Sequence, residues 1–428
     1  MKILIISTYF PPQNSIAALR AYSWAKYFSE LGHAVTVLTT AKKSATNNLH
    51  LKLPKNVQVI PDIEIDTYEN SCFCSLKNKL LQFIKVALKP FLEILSTRYG
   101  MFSTCRFPDL LDFWAIKSTS LVSDTSWDLT ISSGGPYSVH RVAFQLKKMQ
   151  KTRLWILDWR DLWTQNHIYR GFFLFRPYER YLEKKFHDNA DTLTTVSNPL
   201  KQQLSRITKT PVKVIYNGFD KSDYDSLPDT RFFKNKEDFL YIAYTGTIYK
   251  GFRDPSPLFL ALSLLSQSHN HISKKIKLAF AGHNADLSFL AKKYNIETHV
   301  EYYGFLERES ALKMQKDCHA LLLLESDLQS GVLTGKLFEY LFSEKHILGI
   351  GFSEKSSPGQ LIKITQSGES LGADIEKIKK WLLEFAENPA SKELHRSERS
   401  TNIIHSFSRK KQAHKLLEIA TNLLNASV

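Results

Sequence analysis

Short apolar runs alternate with longer helical patterns over most of this chain, and the alternation stops once and restarts. In the first half the runs are Ile3–Ser7, Val35–Leu38, Leu129–Ile131, Leu154–Leu157, Thr192–Val196 and Val212–Ile215. In the second half they are Leu240–Tyr244, Ile276–Ala281, Val300–Tyr303, Ala320–Leu324 and Ile347–Ile350. Runs this short and uniformly apolar read as strands buried on both faces, the pattern of a parallel sheet covered by crossover helices. The polar stretch Asp220–Asp238, which holds Pro228, separates the halves and reads as a linker. With 428 residues, 43% of them hydrophobic, the chain can build two α/β domains, each with its own core. The expected division is residues 1–220, a linker over 221–238, a second domain over 239–404 and a terminal segment over 405–428 that is helical from roughly Arg409 to Leu424. Doubly wound sheets take their ligands outside the carboxyl ends of their strands, so two of them are expected to leave a cleft there.

The junction Ser330–Tyr340, SGVLTGKLFEY, follows the strand-like run Leu321–Leu324 and opens a helical pattern. A strand end feeding a helix start exposes first-turn N–H groups and the positive end of a helix dipole, an anion site before any side chain contributes. Lys336 adds a full charge, and Glu339, three residues on, can accept from sugar hydroxyls. Anion, cation and hydroxyl acceptor together suggest a nucleotide. The plain alternative is a buried helix with a lysine snorkelling to water. A P-loop needs four residues between its glycines and a hydroxyl after its lysine; Gly331, Gly335, Lys336 and Leu337 supply three and a leucine. A dinucleotide fold needs GxGxxG after the first strand, where Thr8–Arg20 holds no glycine.

A formal net charge of +15 points to an acidic partner. No nucleic-acid-binding signature accompanies it, whereas Leu76–Arg106 interleaves Lys77, Lys79, Lys85, Lys89, Arg98 and Arg106 with apolar residues against one acid, Glu93. A basic amphipathic segment of that kind suits an anionic membrane surface; the other reading is a core helix with a solvated lysine face. No run approaches the length of a membrane span, and Ile3–Ile6 reads as a first buried strand rather than a signal-peptide core. The four cysteines, Cys72, Cys74, Cys105 and Cys318, form no zinc spacing, so reduced thiols in the cytoplasm fit best.

The segments KILIISTYFPPQ with the later LGHAVTVLTT, SSGGPYSVH (Ser132–His140), LDWRDLW (Leu157–Trp163), VIYNGFD (Val214–Asp220), YTGTIYKGFRDP (Tyr244–Pro255) and GVLTGKLFEYL (Gly331–Leu341) occur in this order. Together they resemble the retaining family-4 glycosyltransferases of the GT-B fold, of the type found in bacterial surface-polysaccharide clusters. The resemblance implies two Rossmann-like domains facing a cleft: an acceptor domain first, a nucleotide-sugar domain second, and a C-terminal helix returning to the first. It further implies transfer from a nucleotide sugar, with uridine the usual base, to a lipid-linked or polysaccharide acceptor, with retention and without a required metal. The enzyme would sit peripherally on the inner face of the cell membrane, and no nucleic acid would be involved.

Negative charge develops on a departing diphosphate, so preorganised cations and N–H groups are the expected lever. By the resemblance these are Arg253, Lys336, Thr334, Gly335 and Lys250, with Glu339 on the ribose, Gly304 and Phe305 at the base, and Pro12, Gln13 and Asn14 in the acceptor loop. Asp161, His140 and Arg160 are the catalytic candidates, although a lone helical histidine is as readily structural and an Arg–Asp neighbour pair as readily a salt bridge. Trp159 and Trp163 can stack on sugar or fill core. Two departures matter. Many members have a first glutamate where this chain has Gly331, leaving Glu325 or Asp327 as substitutes, and an arginine where this chain has Thr247, which shifts the phosphate role to Arg253 or Lys250. The same fold also serves nucleotide-sugar epimerases, and a non-catalytic binder of nucleotide sugar or lipid is the reading from a different class.

Overall fold

The computed structural model describes residues 1–41, 49, 51–64, 95–96, 98–101, 105–109, 111–166, 171–248, 253–283, 286–326, 331, 333–392 and 399–426. The chain divides into two compact units, Met1–Tyr216 with Arg409–Val428, and Asn217–Ser408. Lys250, Asp327, Cys72, Cys74 and most of the basic stretch 76–106, including all of 76–94, lie outside the described residues.

The first unit is a seven-stranded parallel sheet in the order β3-β2-β1-β4-β5-β6-β7. Its strands are β1 (Lys2–Ile6), β2 (Ala34–Ala41), β3 (Val57–Glu64), β4 (Trp127–Gly134), β5 (Thr152–Trp159), β6 (Thr192–Thr195) and β7 (Val212–Val214). The helices α1 (Ile16–Glu30), α2 (Leu111–Ser120), α3 (Ser138–Lys148), α4 (Arg176–Asn189) and α5 (Asn198–Ser205) are among its connections. Ser15 starts α1 from an extended conformation, its side chain accepting from the Ala18 N–H, and Ser197 caps α5 in the same way. One sheet face is covered by α3, whose Val139, Val142 and Leu146 are buried with Trp155, Leu157 and Phe186. The other face packs Trp24 and Phe28 of α1 beside Leu416, Leu417 and Leu424 of the C-terminal helix Arg409–Ala426. That helix therefore does return to the first unit, against α1.

The second unit is a six-stranded parallel sheet in the order β10-β9-β8-β11-β12-β13. Its strands are β8 (Leu240–Thr245), β9 (Ile276–Ala281), β10 (Val300–Tyr302), β11 (Ala320–Leu324), β12 (His346–Ile350) and β13 (Gly368–Gly372). The helices used below are α6 (Lys221–Asp225), α7 (Ser256–Ser268), α8 (Arg308–Asp317), α9 (Gly335–Phe342) and α10 (Ile375–Glu387). The buried apolar sides of α7 and α10, including Phe259, Leu262, Trp381 and Phe385, join Ile242, Leu278 and Leu322 in one core. Within 221–238, read from sequence as linker, Asp220 caps α6, and Tyr224 packs edge-on to Phe342 at 4.8 Å while donating its hydroxyl to the Glu339 carbonyl at 3.1 Å.

Both sheets reverse winding direction at their first strand: β1 lies between β2 and β4, and β8 between β9 and β11. The loops after β1 and β4, and after β8 and β11, diverge there and leave a crevice at the carboxyl edge of each sheet.

The first crevice is built on one buried ion pair. Asp158, near the end of β5 and fully buried, takes Arg20 Nε at 3.0 Å and Nη2 at 2.7 Å. Ser133 and Thr194 donate to the same carboxylate at 2.8 and 2.7 Å, and Arg20 also donates to the Ile215 and Tyr216 carbonyls at 2.9 and 3.2 Å. Removing one partner of such a pair strands a buried charge, which costs about 3–5 kcal/mol. Arg20→Leu is therefore expected to lower unfolding free energy by about that amount in urea titrations. A loss under about 1 kcal/mol would mean that the hydroxyls alone satisfy Asp158.

Candidate functional site

Two of the three cations expected from sequence, Lys336 and Arg253, lie at the crevice of the second sheet; Lys250 is outside the described residues. Thr334 precedes α9 in an extended conformation but caps nothing; its hydroxyl donates to Glu325 Oε1 at 3.1 Å. The Gly335 and Lys336 N–H groups that open α9 have no hydrogen-bond acceptor among the described residues. An uncapped helix start is an anion-binding position. Lys336 lies in that same turn, and its side chain is buried. Its Nζ is 3.8 Å from the centre of the Tyr244 ring and has no hydrogen-bond partner among the described residues. A Cβ on Gly246 would come within 2.5 Å of this Nζ, so glycine is what lets the ammonium rest against the backbone after β8. Burial first, and the Arg253 charge second, hold the Lys336 pKa well below the usual lysine value, outweighing Glu325 and Glu339.

Arg253 completes the group. Its Nη1 donates to the Thr247 carbonyl at 3.3 Å and its Nε lies 3.7 Å from Glu325 Oε2. Glu325, at the end of β11, thus touches both Thr334 and Arg253. Glu339, one helical turn beyond Lys336, is buried but paired: Arg308 at the start of α8 meets it at 2.9 Å and Asp223 of α6 at 2.5 Å. Burial works against the Arg308 cation, yet the two carboxylates outweigh it and raise its pKa. Gly304 has φ +65°, and its carbonyl accepts from the Gly282 N–H at 2.7 Å. Phe305 is 46% exposed and stacks on His283 at 5.5 Å.

In the first unit a cavity of about 280 Å³ opens where the loops after β1, β4 and β5 meet. Tyr9, Gly135, Tyr137, Arg160, Asp161 and Trp163 are part of its lining. Arg160 is fixed by Nε to the Gly134 carbonyl at 2.8 Å and by Nη2 to the Gly135 carbonyl at 2.5 Å, with its guanidinium 5.1 Å from the Tyr9 ring. No Arg160–Asp161 salt bridge forms among the described residues, and Asp161 is exposed at the cavity. Trp163 stacks on Tyr137 at 4.2 Å, and Trp159 donates its indole N–H to His187 at 2.9 Å; both rings are almost wholly buried, so they pack the cavity wall. Pro12, Gln13 and Asn14 are not part of this lining, although Tyr9 and Ala17 on either side of them are.

His140 lies in the first turn of α3, fully buried beneath Gly134, with its ring edge-on to Trp159 at 4.2 Å. Ser132 Oγ accepts the Trp155 indole N–H at 2.8 Å and lies 2.8 Å from His140 Nδ1. The hydroxyl has a second lone pair and a hydrogen, so it serves Nδ1 as acceptor or donor according to the imidazole tautomer. Nε2 has no hydrogen-bond partner among the described residues.

Sequence reasoning missed Asp158, Arg20 and Arg308. A carboxylate closing the apolar run Leu154–Leu157 was the available signal for the first, since a charge in a strand buried on both faces demands a partner. Nothing in sequence marked Arg308.

Residues 139–223 match the model of Glycosyltransferase Family 4. Among curated proteins no match is found. Solved structures are similar over nearly the whole chain. A glycosyltransferase from Rickettsia africae ESF-5 is 14% identical with TM-score 0.59, covering 99% of this chain and 98% of that one. An E. coli trehalose-6-phosphate structure bound with UDP-2-fluoro glucose is 11% identical with TM-score 0.66, covering 98% and 99%. S. aureus TarM, in complex with Fondaparinux, alpha-GlcNAc-glycerol and UDP, is 11% identical with TM-score 0.62, covering 99% of both. At these identities the structures show the fold, which is GT-B.

Burial, then the nearby His187 and Arg160, depress the His140 pKa far below that of a free histidine. The folded state therefore binds fewer protons than the unfolded chain below about pH 6.5. Stability from this group is complete above that pH and is lost as pH falls, by up to about 1.4 kcal/mol per pH unit. His140→Asn should give a shallower decline than wild type between pH 6.5 and 5 in urea unfolding. Parallel declines would mean that His140 accepts a proton while folded.

Proposed function

We propose, with the GT-B fold and the family-4 match as premise, that this chain is a nucleotide-sugar-dependent retaining glycosyltransferase acting on a lipid-linked or polysaccharide acceptor. Uridine diphosphate is the expected carrier, and capsule, O-antigen or exopolysaccharide the expected product. The observation that carries the reading is the Lys336 ammonium, buried without a hydrogen-bond partner among the described residues beside two open N–H groups. A protein holds such a charge away from water at a cost, and a diphosphate is the ligand that would repay it.

In this reading Lys336, Arg253 and the N–H groups of Gly335 and Lys336 receive the charge that develops on the diphosphate as the bond from the sugar's anomeric carbon to the phosphate oxygen breaks. Lys250, outside the described residues, is a further candidate for the same role. The acceptor oxygen bonds to that carbon on the face the diphosphate leaves, and its proton passes to the departing phosphate oxygen. Glu339 has one oxygen committed to Arg308, and the other accepts from the ribose. Gly304 and Phe305 meet the base. Glu325, held by Thr334 and Arg253, is the candidate to replace the carboxylate that Gly331 lacks, with Asp327 outside the described residues.

In the first unit, Asp161 orients a sugar by accepting from a hydroxyl other than the reacting one, while Arg160 keeps the Gly134–Gly135 backbone in place over His140. His140 acts from below through Nε2, which faces Gly134. Pro12, Gln13 and Asn14 flank the acceptor's approach beside Tyr9. No helix among the described residues is long and apolar enough to cross a membrane, and peripheral attachment to the inner face of the membrane is part of the proposal.

Isothermal titration with uridine, guanosine and cytidine diphosphates tests the assignment. One nucleotide should bind selectively. Lys336→Ala should weaken it roughly ten- to a hundredfold, the value of a charge-assisted hydrogen bond, with no loss of thermal stability because the buried charge is gone. Glu339→Ala should weaken it as well. Absence of binding to any diphosphate would sink the transferase reading.

A further inference from the structure

The outward face of α2, α3 and α4 belongs to neither crevice. A groove of about 440 Å³ runs over α3 between the other two helices, with Phe144, Leu182 and Phe186 in its lining. Its rim keeps Ile116, Tyr181 and Met149 at 73%, 58% and 53% exposure. Phe113, one turn before Ile116 on α2, is 73% exposed, and Phe173 and Leu174, just before α4, are 63% and 64% exposed. Apolar side chains this large, clustered and left in water mark a contact surface rather than ordinary scatter.

The charges on the same helices are one-sided. Glu179 and Glu183 are buried and face inward, Glu179 onto Arg106 at 2.6 Å and Glu183 onto Thr164. Asp112 is held by Arg141 at 2.6 Å, and Asp188 by Lys184 at 2.5 Å. Lys117, Lys148 and Lys185 have no carboxylate partner among the described residues, and the last two place their ammonium groups 5.5 and 5.3 Å from the Phe144 ring centre. The face therefore offers phenyl, phenol and aliphatic groups with lysines between them and its acids neutralised. Lysine stems can lie along apolar surface while their heads reach phosphate, which is the chemistry of the boundary between headgroups and acyl chains.

We infer that this face docks on an anionic lipid bilayer, with Phe113, Ile116, Phe173 and Leu174 entering the boundary region and Lys117, Lys148 and Lys185 meeting lipid phosphates. This face also has a route to the cavity of the first unit. Asp112 on α2 binds both Arg141 in the groove wall and, at 2.5 Å, the hydroxyl of Tyr137 in the cavity wall, so the two sites share the start of α3. The purpose of the face rests on the lipid-linked acceptor reading; its test does not.

Purified protein would be floated with vesicles of equal parts phosphatidylcholine and phosphatidylglycerol, and with phosphatidylcholine alone. Wild type should float with the anionic vesicles and about tenfold less with the neutral ones. The pair Phe113→Ser with Ile116→Ser, and separately Lys148→Glu with Lys185→Glu, should each weaken flotation about tenfold while circular dichroism and thermal unfolding stay unchanged. Variants that float like wild type, or equal flotation with neutral vesicles, would overturn the inference. So would a wild-type dimer in sedimentation that the serine pair dissolves, which would make the face a self-association surface. Diphosphate titration of the same samples separates the two ideas: flotation without nucleotide binding sinks the transferase reading alone, and binding without flotation sinks this one.

Discussion

A carboxylate drawn out of water near the end of a central strand sets the geometry of the first unit. Asp158 accepts from Arg20 of α1, Ser133 of β4 and Thr194 of β6, and the same arginine reaches the carbonyls that follow β7. None of these groups can be released singly, because each loss leaves a buried polar atom unsatisfied. The next residues along the chain, Trp159 to Asp161, are the ones that turn out of the sheet into the cavity. Their position is inherited from the ion pair, and Arg160 passes it on to Gly134 and Gly135 across the opening.

Much of the architecture was legible because buried parallel strands are written as apolar runs, and Leu154–Leu157 or Ala320–Leu324 admit no other use. The two strands that escaped notice are edges. β3 carries Pro61, tolerable only where one side of the strand has no partner, and β13 reads GESLG, with glycine at both ends and one apolar residue. The helix start at Gly335 was visible from its glycine and lysine. What a single sequence does not carry is direction. Lys336 turns inward onto Tyr244 and Gly246, Glu339 is engaged by an arginine thirty-one positions away, and His140 faces a serine hydroxyl under the backbone. The Arg160–Asp161 pair drew attention because a charged pair after a strand is conspicuous. Asp158, two residues earlier and hidden in an apolar context, is the carboxylate that is buried.

The two crevices solve the same problem with different materials. In the first, the buried carboxylate of Asp158 is matched by Arg20 inside the protein, so the strand end beside it is fixed before any ligand arrives. In the second, a cation sits within reach of carboxylates and an arginine but without a hydrogen bond among the described residues, and burial lowers its pKa. An anion bound at such a site raises that pKa again. Its affinity is therefore linked to pH through the ligand rather than through folding alone.

The C-terminal helix Arg409–Ala426 supplies part of the apolar cover over Ile3, Ile5 and Leu129 on the first sheet. On the ribosome every strand of that sheet emerges long before this helix does, and the whole of Asn217–Ser408 is made in between. The unit begun first is thus the one completed last. Until the final turns appear, the α1 side of its sheet stays partly open, and the second unit, whose elements are contiguous in the chain, is free to fold ahead of it.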